Sequence, residues 1–211
     1  VKKESPVLLY DYKSPELGAF LKNSDPKLKV YHIDFNNPEE SARVNPLAPR
    51  YITNPIIALE LAQALYYNLN PKALTSNQDP FWNNSAISII QATIWYMKEY
   101  LPNDCNIPSL IDIILRPIGE VLTELRKDDT CAKIIAAVLS SYDEKATNLL
   151  ASISSTVQSP LALLIGEDIA HIFGADETPL DINNPDSPCS LIIGQNQDTP
   201  QAYAPLISLV I

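Results

Sequence analysis

The chain has 211 residues, 46% of them hydrophobic, and its 25 acidic against 15 basic side chains give a formal net charge of −10. Such a chain has material for a sizeable core, but the acidic surplus excludes a surface built to bind nucleic acid non-specifically by neutralising phosphates; its longest basic clusters, Lys2-Lys3 and Arg126-Lys127, are dipeptides. No apolar stretch approaches the roughly 18 to 20 residues that span a bilayer, and no basic-then-apolar leader opens the chain. Three widely spaced cysteines (Cys105, Cys131, Cys189) give neither a disulfide framework nor a CxxC knuckle, which predicts a soluble globule in a reducing, cytoplasmic setting. A start at Val1 and an end at Ile211 inside an apolar run read as a piece of a longer protein.

In chain order, VLLYD (7–11) and KVYHID (29–34) predict short strands. Between them SPELGAFLKNSDP predicts a short helix after a Ser-Pro start, making a parallel βαβ-like unit. Prolines and asparagines then break all periodicity to about residue 52. Asn54-Pro55 is an N-cap and first-turn pair for a helix ending at Asn70-Pro71. The segment 84–101 is apolar on nearly every face, as a helix packed all round would be. Ser109 with Asp112 reads as a capping box before LIDIIL, and Pro117 opens IGEVLTELRK. Asp128 or Asp129 caps CAKIIAAVLSSY, a long helix from about 144 breaks or kinks at Pro160, and EDIAHIF ends at Gly174 as a C′ residue. SLIIG (190–194) predicts a buried parallel strand, and Thr199-Pro200 starts a last helix.

The candidate chemistry is sparse. Asp11 and Lys13 follow a strand, where polar residues of α/β proteins face ligands, although a plain strand-end ion pair would explain the same two residues. A phosphate loop of the form GxxxxGKS/T is absent, because none of Gly18, Gly119, Gly166, Gly174 and Gly194 has the required spacing or a following Lys. His32 and Asp34 alternate to one side of a strand as an acid/base pair would, and equally as a packed strand edge would. Asp168 and His171 have helical spacing for a shared metal but lack a third ligand. No GxSxG elbow is present, and the aromatic pairs Tyr66-Tyr67, Phe81-Trp82 and Trp95-Tyr96 fit a core better than base stacking.

Taken in order, VLLYDYKSPELG, KVYHIDFNNPEESARVNPLAP, FWNNSAISIIQATIWYM, LDINNP and SLIIGQNQDTPQAYAPLISLVI make the chain similar to the type IV secretion coupling proteins. These are TraG/TraD-type conjugation ATPases, with the nearest resemblance to the TraG-like proteins of Bacteroides-type elements. The resemblance implies a mostly α chain with a small α/β part: a helical bundle inserted into a remnant of a RecA-like parallel sheet, with about three short strands drawn from the two ends. The implied organisation is a sheet remnant over 1–52, an all-helical insertion over 53–175 and a return to the sheet over 176–211. By the same resemblance Asp11 and Lys13 edge a nucleotide site, and Asn45, Pro46 and Leu47 match the family's NPL before the insertion. Many relatives carry Gly after that Lys, where Ser14-Pro15 stands here. Walker A and Walker B would fall outside residues 1–211, so the piece itself is expected to be non-catalytic and without cofactor or metal, with ATP and Mg bound by the parent.

The parent implied is a hexameric, membrane-anchored motor at the bacterial inner membrane, with this piece on its cytoplasmic side. The acidic charge further predicts a partner with a basic face, such as a relaxase or accessory protein, with DNA met only as part of that cargo. The piece alone is expected to be a monomer or weak oligomer. A free-standing acidic helical adaptor is the alternative reading, and an independent hydrolase using His32 with Asp34 or Asp168 with His171 is a third.

Overall fold

The computed structural model describes residues 6–24, 29–75, 79–194 and 200–211. In chain order its elements are β1 (Leu8–Asp11), α1 (Glu16–Ser24), β2 (Val30–Asp34), α2 (Pro55–Leu69), α3 (Pro80–Tyr100), α4 (Ile107–Ile114), α5 (Ile118–Leu125), α6 (Asp129–Ile134), α7 (Ala136–Asp143), α8 (Thr147–Leu161), α9 (Glu167–Phe173), β3 (Ser190–Gly194) and α10 (Pro200–Ile207). The chain is thus mostly helical with a small parallel sheet, as the sequence predicts. It divides into two compact units, one of residues up to Pro46 together with Gly166–Val210, the other of Leu47–Ile165. No single described helix is long and apolar enough to cross a membrane.

In the first unit the strands run in the order β1-β3-β2, with β1 and β2 each parallel to β3. The strands flanking α1 are therefore not neighbours, because β3 lies between them. Its sequence accounts for that place: SLIIG offers no polar side chain larger than Ser190, and all five of its residues are buried. Gly18 lets α1 come close above it, since a Cβ there would stand 3.3 Å from Cδ1 of Ile192. Helix α9 also belongs to this unit. Ile172 O accepts the Val44 N–H at 2.8 Å, and Phe173 stacks on Phe35, which in turn stacks on Tyr203 of α10 at 4.3 Å between ring centres. Val44 forms a parallel bridge with Thr178, and Arg43 is held by His171 O and by Glu177.

The second unit is built around α3, which packs against α2, α4, α6 and α8. That is why its apolar residues occupy several faces. Ile87, Ile90, Ile94 and Met97 are all buried in it. Asn54 caps α2 as expected, its Oδ1 accepting from the N–H groups of Ile56 and Ile57.

Four local expectations are corrected. Helix α3 starts at Pro80, not near 84, because Asp79 caps it through the Phe81 N–H with Pro at the first position. Helix α4 is capped by Asn106, whose Oδ1 accepts the Ser109 N–H at 2.9 Å, so Ser109 is a receiving residue and not the cap. The helix expected after Asp128 is capped there, through the Cys131 N–H, but breaks at Ile135 (φ −99, ψ 18) into α6 and α7. Gly174 ends α9 at φ −89, so the left-handed conformation that favours glycine at C′ is not used. The break near Pro160 is present: α8 ends at Leu161 and a single 3-10 turn, Ala162–Leu164, follows. Thr199, expected to start the last helix, lies outside the described residues.

Candidate functional site

Within the sheet unit, the three strands end in register at Asp11, Gly194 and Asp34. Residues paired across a parallel ladder face the same side, and alternate residues share a face. Asp11, His32, Asp34 and the bare Cα of Gly194 therefore share one face at the carboxyl edge. Ligands of open α/β sheets collect outside that edge.

Asp11 is fully buried. Its Oδ2 accepts the backbone N–H of Gly18 at 2.9 Å, in the first turn of α1, where backbone donors have no partner inside the helix. Its Oδ1 is buried without a hydrogen-bond partner among the described residues. Lys13 is exposed and forms no ion pair with Asp11 among those residues, so the strand-end pair considered from sequence is not made: Oδ2 is taken by the helix and Oδ1 is enclosed.

Between the carboxylates the sheet surface is hollowed by Gly194. A Cβ at this position would lie 2.5 Å from Ser14 Oγ and 2.8 Å from His32 Nε2, closer than real contacts allow. Ser14 Oγ and His32 Nε2 occupy that hollow 3.3 Å apart, within hydrogen-bond reach, and the Ser14-Pro15 peptide bond is cis. Asp34 turns its Oδ1 to the Asn36 N–H at 2.9 Å, and its own N–H bonds to Ser41 Oγ. The expected His32 and Asp34 pair thus lies on one face, but the imidazole meets Ser14 and the carboxylate caps a turn. A hydroxyl and an imidazole meet over one glycine, and an enclosed carboxylate ends the neighbouring strand. The sequence reading missed Ser14 and Gly194. A glycine closing an apolar strand, where another group approaches the backbone, was the available signal for the second.

The other candidates are separated. Asp168, in the first turn of α9, is exposed and lies against Tyr203, whose hydroxyl burial and the Asp168 charge push upward in pKa. His171 contributes its backbone carbonyl to Arg43 Nε at 2.9 Å. Among the described residues no three His, Cys, Asp or Glu side chains are grouped to hold a metal. Asn45 and Pro46 are buried at the end of the first segment of the sheet unit, and Leu47 is fully buried as the first residue of the helical unit.

Of the aromatic pairs in the helical unit only Tyr66 is fully in the core; Tyr67, Phe81, Trp82, Trp95 and Tyr96 are half-buried. Tyr66 is buried and donates from its hydroxyl to Asn83 Oδ1 at 3.0 Å, and Lys98 Nζ lies 4.7 Å from the centre of the Trp95 ring. Tyr96 donates to Glu124 Oε1 at 2.5 Å. Burial first, and then this bond to a carboxylate, push the Tyr96 hydroxyl up to about 12, while Lys127 and then Tyr96 hold Glu124 below the usual carboxylate range.

In comparisons with known proteins, no family model and no curated protein matches the chain.

Proposed function

We propose that the chain is the substrate-facing part of a conjugative coupling ATPase of the TraG/TraD type, a non-catalytic piece whose helical unit docks a relaxase–DNA complex at the cytoplasmic mouth of a type IV secretion channel. The observation that carries this reading is the apolar character of one sheet edge. Strand β1 pairs with β3 alone among the described residues, yet Leu8 and Tyr10 remain 39% and 46% exposed, and Phe20 on α1 is 74% exposed. An edge strand with exposed apolar side chains is a template for further pairing, which free-standing proteins blunt with charge, proline or a covering element. A motor sheet that continues past β1 would cover these side chains. Asp11 and Lys13 would then border the nucleotide site of the parent, which supplies ATP and Mg, and Asn45, Pro46 and Leu47 would mark the entry to the insertion.

The net charge of −10 favours a partner with a basic face, a relaxase or accessory protein, and disfavours bare DNA. The same charge suits a free-standing acidic adaptor. The two readings part at β1, because an adaptor must tolerate its bare edge and a motor covers it. The test is calorimetric titration of the purified chain with a relaxase, alone and on its DNA, and with bare duplex, across a salt series. Binding to the relaxase that weakens with salt, and none to bare duplex, is the expected result. Tight binding of bare duplex, or none to the relaxase in either form, would overturn the docking role.

A further inference from the structure

We propose that the helical unit holds a binding site for a free apolar α-amino acid, in a cavity of about 390 Å³ bounded by α3, α4 and α5. The volume lies in the range of small-molecule sites, about 300 to 1,000 Å³. Its floor is apolar: Val121 and Leu125 are buried in the core, and Ile113 and Leu101 close the sides. Three charged side chains stand around this floor, and they are not equivalent. Glu124 is already engaged, by the Tyr96 hydroxyl at one oxygen and by Lys127 Nζ at the other, both at 2.5 Å. Arg116 and Glu120 line the same cavity, and their side chains make no hydrogen bond or ion pair among the described residues, while the Arg116 charge also acts on Glu124.

The chemistry that fits is one apolar group carrying both charges at one end. Arg116 offers a planar fork suited to a carboxylate, Glu120 accepts an ammonium, and the apolar floor takes the side chain. An internal residue of a peptide carries neither charge and offers Arg116 and Glu120 no charged partner. A fatty acid would satisfy Arg116 and crowd Glu120. The arrangement therefore selects the free amino acid by its two charged groups together. This inference stands apart from the docking proposal, since it uses only residues of the helical unit.

The test is calorimetric titration of the whole chain with L-leucine, N-acetyl-L-leucine and L-leucinamide. Each derivative removes one charge, and each is expected to bind about ten-fold more weakly than leucine, as loss of a charged hydrogen bond implies. Arg116→Gln should weaken leucine by a similar factor and leave leucinamide unchanged, and Glu120→Gln should weaken leucine and leave N-acetyl-leucine unchanged. Both residues are exposed, so unchanged thermal unfolding of each variant serves as the folding control. Equal binding of leucine and both derivatives, no binding of leucine at millimolar concentration, or indifference of leucine to Arg116→Gln would overturn the proposal.

Discussion

Oδ2 of Asp11 accepts the backbone N–H of Gly18 at 2.9 Å, so the last residue of β1 satisfies a donor in the first turn of the helix that follows. The carboxylate also sits at the end of that helix where unpaired backbone N–H groups point. Asp11→Ala strands the Gly18 donor in a buried place and should destabilise the chain by about 1 to 2 kcal/mol. Asp11→Asn keeps an acceptor for Gly18 and should lose less. Urea midpoints measure both, and an Ala variant as stable as the parent would contradict this role for Asp11.

Gly194 is the position at which any side chain is excluded. Gly194→Ala brings a methyl group to 2.5 Å from Ser14 Oγ and 2.8 Å from His32 Nε2 at the end of a buried strand, so both neighbours must give way. A loss of about 1 to 3 kcal/mol is expected, the usual cost of overpacking. Adding Ser14→Ala should recover part of it, measured as the coupling in a double-mutant cycle. Strict additivity of the two substitutions would show that the hollow over Gly194 is not what the methyl group fills.

Tyr96 gives the helical unit an alkaline limit. Burial and the bond to Glu124 hold its hydroxyl protonated up to about 12, against an ordinary value near 10. The unfolded chain then releases this proton at lower pH than the folded one, so the contribution is intact below pH about 10 and lost as pH rises towards 12. Stability measured by denaturant across this window should fall less steeply in Tyr96→Phe, which has no proton to release. Identical slopes would show that Tyr96 does not set the limit.

The three thiols should react slowly in the folded state. Cys105, Cys131 and Cys189 are all buried, and burial pushes each thiol upward, Cys105 to about 12, with the Asp128 carboxylate adding to the effect at Cys131. Since the thiolate is the reactive form, a disulfide reagent at neutral pH should label them only as the chain unfolds. Rapid labelling of any one thiol under native conditions would indicate that its surroundings open.

The exposed apolar edge has its own consequence. If Leu8 and Tyr10 belong to an interrupted sheet, the chain alone should self-associate weakly at high concentration, and Tyr10→Lys should reduce that association, since charge on an edge strand blocks pairing. Analytical ultracentrifugation over a concentration series reads this directly. A chain that stays monomeric throughout, with no effect of Tyr10→Lys, would favour the free-standing adaptor.

Much of the fold was legible because its signals are local. SLIIG reads as a buried parallel strand and is one, and Asn54-Pro55 carries both the cap and the first turn of α2 within two residues. Asp79-Pro80 is the same signal and marks the true start of α3, ahead of the apolar run that begins later in the segment. The break at Ile135 was not legible, since a β-branched residue there announces neither turn nor cap. The sheet order and the cluster over Gly194 depend on residues separated by as many as 183 positions, as the Val7 bond to Ser190 illustrates, and no periodicity within one segment encodes them. Asp11 could be singled out by its place after a strand. Its partner, a backbone N–H of the next helix, became visible only with the helix in place.

The central claim is tested most directly by sequencing the parent reading frame on both sides of these residues. The account predicts membrane-spanning segments and a GxxxxGKS/T loop before the segment that begins VKKES, and an apolar strand ending in Asp-Glu after the one that ends SLVI. A reading frame that contains neither nucleotide motif would contradict the coupling-ATPase reading and leave the acidic adaptor in its place.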